Sequence, residues 1–191
     1  MFLLTRPSMR DIDAFMAESR ALPLSYEQIG IAREPEPPPG DGWKLDEASG
    51  VIGSGEAAFA GAKRALMDWK QFDLGWTEVY PKAASIEAGS VVAVLVRHVG
   101  FWSLNGCRVV YRIGDANEFG FAYGTLANHA ETGEEIFAVQ YDPAAGAVSY
   151  RIRSVSRPRA LLARMGYPLA RLLQARFRAG SVRAMRRAIQ S

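Results

Sequence analysis

The residues best suited to acid–base chemistry lie close together in one predicted hairpin. They are Tyr123, Thr125, His129, Glu131, Glu134 and Glu135. A histidine beside carboxylates has a raised pKa and could transfer protons near neutral pH. The cluster is therefore a candidate acid–base site that uses His129 with Glu134 or Glu135. The structural alternative is a solvent-exposed hairpin tip in which Asn128 and Gly133 help to form the turn.

A second set of residues has the chemistry to contact a bound molecule. Strand alternation puts Glu135 on the same face as Phe137, and a carboxylate that faces apolar surroundings needs an Arg or Tyr partner or stays protonated. Trp102 and Asn105 lie in an aromatic connection, where they either contact a ligand or anchor a turn. The predicted ligand-binding residues are Tyr26, Trp102, Asn105, Tyr111, Tyr123, His129 and Glu135.

Several common chemistries lack the residues that they require. Two histidines and one cysteine give no zinc-ligand spacing, and one cysteine forms no internal disulfide. Cys107 lies within a predicted strand, where a buried, unreactive thiol is expected. The chain has no Gly-x-Ser-x-Gly motif, and the Gly-Ser-Gly at 53–55 lacks the remainder of a phosphate-binding loop. We therefore assign no catalytic residue, metal or cofactor.

The elements that would position these side chains follow from turn residues and from hydrophobic periodicity. Helices are predicted at 8–21, with Ser8 as N-cap, and after Ser54. Strands are predicted at 43–52, 77–81 and 91–99, before four more strands between Asn105 and Pro158. Period-two alternation puts one set of apolar residues on a single face of the sheet: Cys107, Val109, Tyr111, Ile113, Phe137, Val139, Tyr141, Val148, Tyr150 and Ile152.

A long C-terminal helix is predicted to cover that apolar face. Its apolar stripe consists of Leu161, Leu162, Met165, Leu169, Leu172, Leu173 and Phe177, with a break at 166–168. The fold class is therefore α+β: a curved antiparallel sheet of about six to seven strands that grips the helix. A closed barrel explains the apolar tail less well. We expect one domain over 1–191, comprising a helix and Pro-rich loop (1–42), the sheet (43–158) and the Arg-rich helix (159–191).

Charge is distributed unevenly along the chain. Residues 151–191 contain eleven arginines and no acidic residue, which leaves an acidic body in residues 1–150. Pairing between tail and body is the simplest explanation, and an anionic surface or protein partner is the alternative. Nucleic acid is disfavoured because the tail lacks interleaved aromatics and a recognition motif. No apolar run approaches the length of a membrane span or signal peptide, so we expect a soluble cytoplasmic protein.

Sequence motifs spread over most of the chain resemble uncharacterised protein family 0548. The matching positions are 24–26, Gly30, Trp69, 105–111, 119–125, His129, Glu131, 133–135, 156–158, 166–168, 174–177 and 184–185. The resemblance implies a domain of unknown function whose element order is similar to START-like and birch-allergen-like helix-grip proteins. Such proteins commonly hold lipids or other apolar ligands between sheet and helix. No catalytic residue carries over, and the Pro-rich stretch 34–42 is longer than the family pattern implies.

Three functions remain open after these considerations. The first is non-catalytic binding of a small apolar or amphipathic molecule between sheet and C-terminal helix, which the absence of a catalytic set favours. The second is an acid–base enzyme of the same architecture. The third is an interaction module that presents the arginine-rich helix to an anionic partner.

Overall fold

The computed structural model describes residues 1–40, 42–158 and 167–190. Eight strands, three α-helices and a short 3₁₀ helix form the described part of the chain. In order they are β1 (Phe2–Leu3), α1 (Met9–Ala21), β2 (Lys44–Ser54), α2 (Gly55–Met67), the 3₁₀ helix (Lys70–Phe72), β3 (Thr77–Tyr80), β4 (Val91–Arg97), β5 (Trp102–Gly114), β6 (Glu118–Thr125), β7 (Glu131–Asp142), β8 (Ala147–Pro158) and α3 (Tyr167–Ala188).

All the strands belong to one antiparallel sheet with the order β2-β8-β7-β6-β5-β4-β3, and β1 adds to β5. The sheet curls into a half-barrel whose concave inner face packs against α2 and α3. This arrangement confirms the predicted curved antiparallel sheet that grips a C-terminal helix. The largest apolar cluster lies on the inner face, and a second cluster joins the outer face to residues 24–32.

Alternation in the last two strands agrees with the sequence. Phe137 and Val139 of β7, like Tyr150 and Ile152 of β8, lie in the inner apolar cluster, whereas Ile136 packs in the outer one. Because each strand alternates without interruption here, the period of two assigns its faces correctly.

The assignment for β5 is wrong beyond Val109. A register shift between Val109 and Tyr111 inserts one extra residue opposite β6. Such a bulge reverses the face of every later side chain, and Tyr111 and Ile113 pack in the outer cluster instead of the inner one. The aromatic connection predicted at 100–106 is also largely strand, because β5 begins at Trp102.

The helix boundaries agree with the sequence signals, with two corrections. Ser8 and Asp11 form a reciprocal capping box at the start of α1. Ser54 is the N-cap of α2, but its side chain makes no capping hydrogen bond. In α3, Leu173 and Phe177 line the cavity at the sheet, whereas Leu172 is exposed, so its predicted place in the buried apolar stripe is wrong. Leu161, Leu162 and Met165 fall outside the described residues.

None of the helices in the described ranges is both long and apolar enough to cross a membrane.

Candidate functional site

A cavity of about 350 Å³ lies between the inner face of the sheet and α3, within the size range of small-molecule sites. Its surface is mainly apolar, and polar groups are concentrated in part of it. The main apolar contributors come from the 3₁₀ helix, β4, α3 and two connecting segments: Phe72, Trp76, Val94, Val96, Phe101, Leu173 and Phe177. Trp76 packs edge to face on Phe177, with ring centroids 6.4 Å apart, and Phe72 packs at a tilt on the same ring at 5.1 Å.

One row of residues crosses the sheet and supplies the polar part of the cavity. Tyr123 on β6 lies opposite Glu135 on β7, which lies opposite Ser154 on β8, which in turn lies opposite Asp46 on β2. Directly paired residues of antiparallel strands point to the same face. The row therefore directs a phenol, a carboxylate and a hydroxyl into the cavity, with a second carboxylate behind them at the sheet edge.

Glu135 is the central group of this row. The hydroxyl of Tyr123 donates to Oε2 of Glu135 over 2.8 Å. Burial raises the pKa of Glu135 to about 7, because removal from water penalises the charged form; the Tyr123 hydrogen bond opposes this effect, and the charge of Glu131 reinforces it. The carboxyl group can therefore take up or release a proton at neutral pH.

Glu131 lies four residues before Glu135 on the same face of β7. Nε2 of Gln174 on α3 donates to both of its carboxylate oxygens, over 2.8 and 2.9 Å. Burial raises the pKa of Glu131, and the Gln174 hydrogen bond lowers it in part. The amide thus ties α3 to the strand that carries the central carboxylate.

Two arginines of α3 bind the remaining carboxylate of the row. Arg171 makes a bidentate ion pair with Asp46, with 2.6 Å between Nη2 and Oδ1, and Arg178 lies 3.2 Å from Oδ1. Burial by itself would raise the pKa of Asp46, but the two guanidinium groups outweigh it and lower that pKa. The predicted pairing between arginine tail and acidic body is realised at this point, and Arg186 and Arg187 also donate to backbone carbonyls of the body.

A smaller polar group lies at the β4–β5 side of the cavity. The amide of Asn105 donates to Oγ of Ser103 over 3.0 Å, and Nε2 of His98 lies 2.9 Å from the same oxygen. The His98 ring stacks on Phe101 with centroids 4.3 Å apart, and burial lowers its pKa. His98 is therefore held as a neutral ring at neutral pH, a hydrogen-bonding rather than a charged group.

Glu134 is among the residues around the cavity, but its carboxylate is bound on the outer face of the sheet and joins that face to the N-terminal loop. Four donors bind its carboxylate: the hydroxyls of Tyr26 (2.8 Å) and Tyr111 (2.7 Å) and the backbone N–H groups of Gly30 (2.9 Å) and Ala32 (3.2 Å). Burial, followed by the neighbouring carboxylate, raises the pKa of Tyr26, and the pKa of Tyr111 is also raised. With four donors bound, Glu134 is a structural anchor.

The Tyr26 ring packs directly on Gly124 of β6. A Cβ at Gly124 would lie 2.3 Å from the Tyr26 hydroxyl oxygen, so a side chain there would displace the ring. Glycine is therefore required at this position by the close approach of an aromatic ring to the strand backbone.

The structure brings four of the seven predicted ligand-binding residues to the cavity: Asn105, Tyr123, His129 and Glu135. Tyr26 and Tyr111 lie on the opposite face of the sheet at Glu134, Tyr111 because of the bulge in β5. Trp102 pairs with Leu3 at the sheet edge, under the guanidinium of Arg6, and does not line the cavity. The predicted cluster therefore divides between two faces.

His129 lies at the cavity in the β6–β7 connection. Its Nδ1 accepts the backbone N–H of Glu131 over 2.9 Å. The hairpin turn is shorter than predicted, because β7 begins at Glu131 and includes Thr132 and Gly133.

Some cavity residues escaped the sequence reasoning although a signal for them existed. Alternation in β8 continues inward from Ile152 to Ser154 and Ser156, and two serines that follow apolar residues on an inner face indicate a polar lining. Gln174 and Arg178 face the same cavity, but the sequence does not specify the rotation of α3 that brings them there. Within the described residues, no three His, Cys, Asp or Glu side chains converge as a metal site.

The fold and site define a helix-grip protein, in which a curved antiparallel sheet closes on a C-terminal helix around an internal cavity. The chain belongs to uncharacterised protein family 0548, since residues 25–184 match the model described as Domain of unknown function (DUF1990). The UPF0548 protein of Dictyostelium discoideum is 34% identical over 209 residues, covering 100% of this chain and 97% of that protein. The Deinococcus radiodurans UPF0548 protein is 33% identical over 187 residues, covering 92% of each chain.

A solved structure shares this architecture at low sequence identity. The Zhui aromatase/cyclase from Streptomyces sp. R1128 superposes with a TM-score of 0.51 and 17% identity, over 78% of this chain and 94% of that one. Similarity at this level establishes the common fold.

Proposed function

We propose that this protein binds a small amphipathic molecule in the cavity between the sheet and α3. The observation that carries the proposal is the cavity of about 350 Å³, which combines a mainly apolar surface with a few convergent polar groups. Small-molecule sites typically have this composition, because apolar contact supplies affinity and a few polar groups fix orientation.

The packing of the side chains around the cavity supports a cavity that stays open without a ligand. The inner apolar cluster is tightly packed next to the cavity, with Phe121, Phe137 and Tyr150 fully buried and Phe137 in contact with the cavity-lining Phe72. At the polar side, hydrogen bonds and ion pairs hold α3 at a fixed distance from the sheet through Gln174 and Arg171. A ligand would therefore enter a preformed site and cause little reorganisation.

A cavity-filling pair of variants tests the proposal. Ser154→Phe places a ring in the cavity, and Ser149→Phe places the same ring on the opposite face of β8, where alternation directs it to the outside. Binding of a neutral environment-sensitive dye such as Nile red is measured by fluorescence, together with native mass spectrometry of the purified protein. We expect dye binding to wild type and Ser149→Phe, and at least tenfold weaker binding to Ser154→Phe. Absence of binding to wild type, or equal binding to both variants, would contradict the proposal.

A second candidate function is acid–base catalysis in the same cavity. The specific observation in its favour is the carboxyl of Glu135, which titrates near pH 7 and is hydrogen-bonded to the phenol of Tyr123. Glu134 is a poorer candidate for the acid or base, because four donors bind its carboxylate on the other face. His129 shares the cavity and could assist Glu135.

Catalysis and binding are distinguished by turnover. A generic ester such as 4-nitrophenyl butyrate is incubated with wild type and with Glu135→Gln from pH 5 to 9. Catalysis predicts a rate above background with an apparent pKa near 7 that the glutamine variant lacks. Dye binding with no turnover of this ester or of a wider set of esters and aldehydes supports the binding function.

A further inference from the structure

We propose that the ligand carries a basic amine, and that this group docks on Glu135 while an aromatic or other apolar body fills the remaining cavity. The inference rests on the proposed binding function and specifies its ligand class. Two independent features of the geometry support it. Carboxylates are in excess at the polar side of the cavity, and one oxygen of Glu135 has room for a further hydrogen bond.

Carboxylates outnumber cations at the polar side of the cavity. Among the described residues that line the cavity, Glu131 and Glu135 face one arginine, Arg178. Arg178 lies 3.2 Å from Asp46, and Glu131 accepts its hydrogen bonds from a neutral amide. The carboxylate of Glu135 is thus left without a cation of its own, and a cationic ligand group would supply one.

The acceptor oxygen of Glu135 with room for a ligand donor is Oε1. Oε2 accepts the Tyr123 hydrogen bond, whereas Oε1 receives no hydrogen bond from the described part of the chain, and the residue lines the cavity. An ionised carboxylate accepts several hydrogen bonds, so Oε1, which faces the cavity, has room for a donor from a ligand. A ligand N–H directed at Oε1 would form a charge-assisted hydrogen bond with it.

An anionic ligand end fits this side of the cavity poorly. Arg178 is the cation whose charge acts on Glu135, and its guanidinium already lies 3.2 Å from the carboxylate of Asp46. A ligand carboxylate would be repelled by Glu131 and Glu135, and the only arginine among the described lining residues, Arg178, is already paired with Asp46. The polar side of the cavity therefore selects for donors and against acids.

The rest of the cavity sets the shape of the ligand body. Phe72, Trp76 and Phe177 present ring surfaces within it, and Tyr123 stands between them and Glu135, with its ring 6.3 Å from that of Phe72. Aromatic side chains pack well against flat apolar bodies. A fused-ring body with a short arm to an amine matches this arrangement.

The pH dependence of amine binding follows from the same groups. The titratable and charged groups that face Glu135 from the packed elements are Asp46, Cys107, Tyr123, His129, Glu131, Tyr150, Arg171 and Arg178. Burial raises the pKa of Glu135 to about 7, so acid converts it to a form that cannot pair with a cation. Because affinity scales with the ionised fraction, amine binding should weaken about tenfold from pH 8 to pH 6.

Three naphthalene probes with matched bodies test the proposal. They are 2-naphthylmethylamine, 2-naphthylmethanol and 2-naphthoic acid, titrated into wild type and Glu135→Gln at pH 6 and pH 8 with naphthalene fluorescence or calorimetry as readout. We expect the order amine, alcohol, acid for wild type at pH 8, with the amine at least tenfold tighter than the alcohol. In Glu135→Gln the advantage of the amine over the alcohol and its pH dependence should disappear, and a cooperative urea-unfolding transition shows that the variant is folded.

The outcomes separate this inference from the function on which it rests. If the alcohol binds but the amine gains nothing over it, the ligand class is wrong and the binding function stands. If the acid binds tightest, the site selects anions and the charge argument fails. If none of the probes binds and Nile red also fails to bind, both the inference and the proposed function are overturned.

Discussion

Replacing Glu135 by glutamine should make the protein more stable at neutral and alkaline pH, and leave its stability nearly unchanged in acid. Glutamine has the shape of the protonated carboxyl group and keeps an oxygen that can accept the Tyr123 hydroxyl. It cannot ionise. The substitution therefore isolates the free-energy cost of a charge held beside an apolar cavity.

The magnitude follows from the raised pKa. Burial raises the pKa of Glu135 from the ordinary 4.5 to about 7, and a pKa difference of one between folded and unfolded states is worth about 1.4 kcal/mol. The folded state therefore retains a proton that the unfolded state has lost between these two pH values, and the wild type loses up to about 3 kcal/mol of stability as pH rises from 4.5 to 7. Above pH 7 both states are ionised, and the cost stays constant.

Urea unfolding of wild type and Glu135→Gln at pH 5, 6, 7 and 8 measures the effect. The variant's free energy of unfolding should exceed that of wild type by less than about 1 kcal/mol at pH 5 and by about 2–3 kcal/mol at pH 8. Contributions from other titrating groups largely cancel in this difference. A difference that does not change with pH, or that decreases as pH rises, would refute the assignment of a raised pKa to this carboxyl group.

Three further substitutions test the contacts that hold the site in place. Glu134→Gln leaves one acceptor oxygen for four donors and should lower the free energy of unfolding by about 3 kcal/mol or more; a loss below 1 kcal/mol would contradict the anchoring role. Gly133→Ala places a Cβ 2.2 Å from the carbonyl oxygen of Val155 and should cost about 2–3 kcal/mol, seen as a lower melting temperature, whereas an unchanged melt would show that the strands can separate locally. Asp46→Asn removes the carboxylate shared by the two α3 arginines and should cost about 1–3 kcal/mol while increasing amide hydrogen exchange in α3; exchange that rises equally in all elements would place the effect elsewhere.

Local patterns in the sequence predict the fold well, and the site only in part. Period-two alternation assigns the faces of β7 and β8, and turn residues mark the connections between the strands. The β5 bulge inserts one residue that the hydrophobic pattern of the sequence does not reveal. Alternation therefore assigns Tyr111 to the wrong face of the sheet. The cavity depends on the distance and rotation of α3, which are set by contacts far apart in the chain, such as Arg171 with Asp46.

Glu134 and Glu135 show how the fold supports the site. They are adjacent and chemically identical, but strand alternation places their side chains on opposite faces of β7. The carboxylate of Glu134 accepts hydrogen bonds from four donors, whereas that of Glu135 accepts one and faces the cavity. The bound carboxylate fixes β7 against the loop that carries Tyr26, and so fixes the backbone from which its neighbour projects. Burial of an ionised Glu135 costs folding free energy, and the hydrogen bond from Tyr123 offsets only part of that cost. Carboxyl groups perturbed in this way beside a cavity are typical of functional sites, and this supports the proposed contact between Glu135 and a ligand.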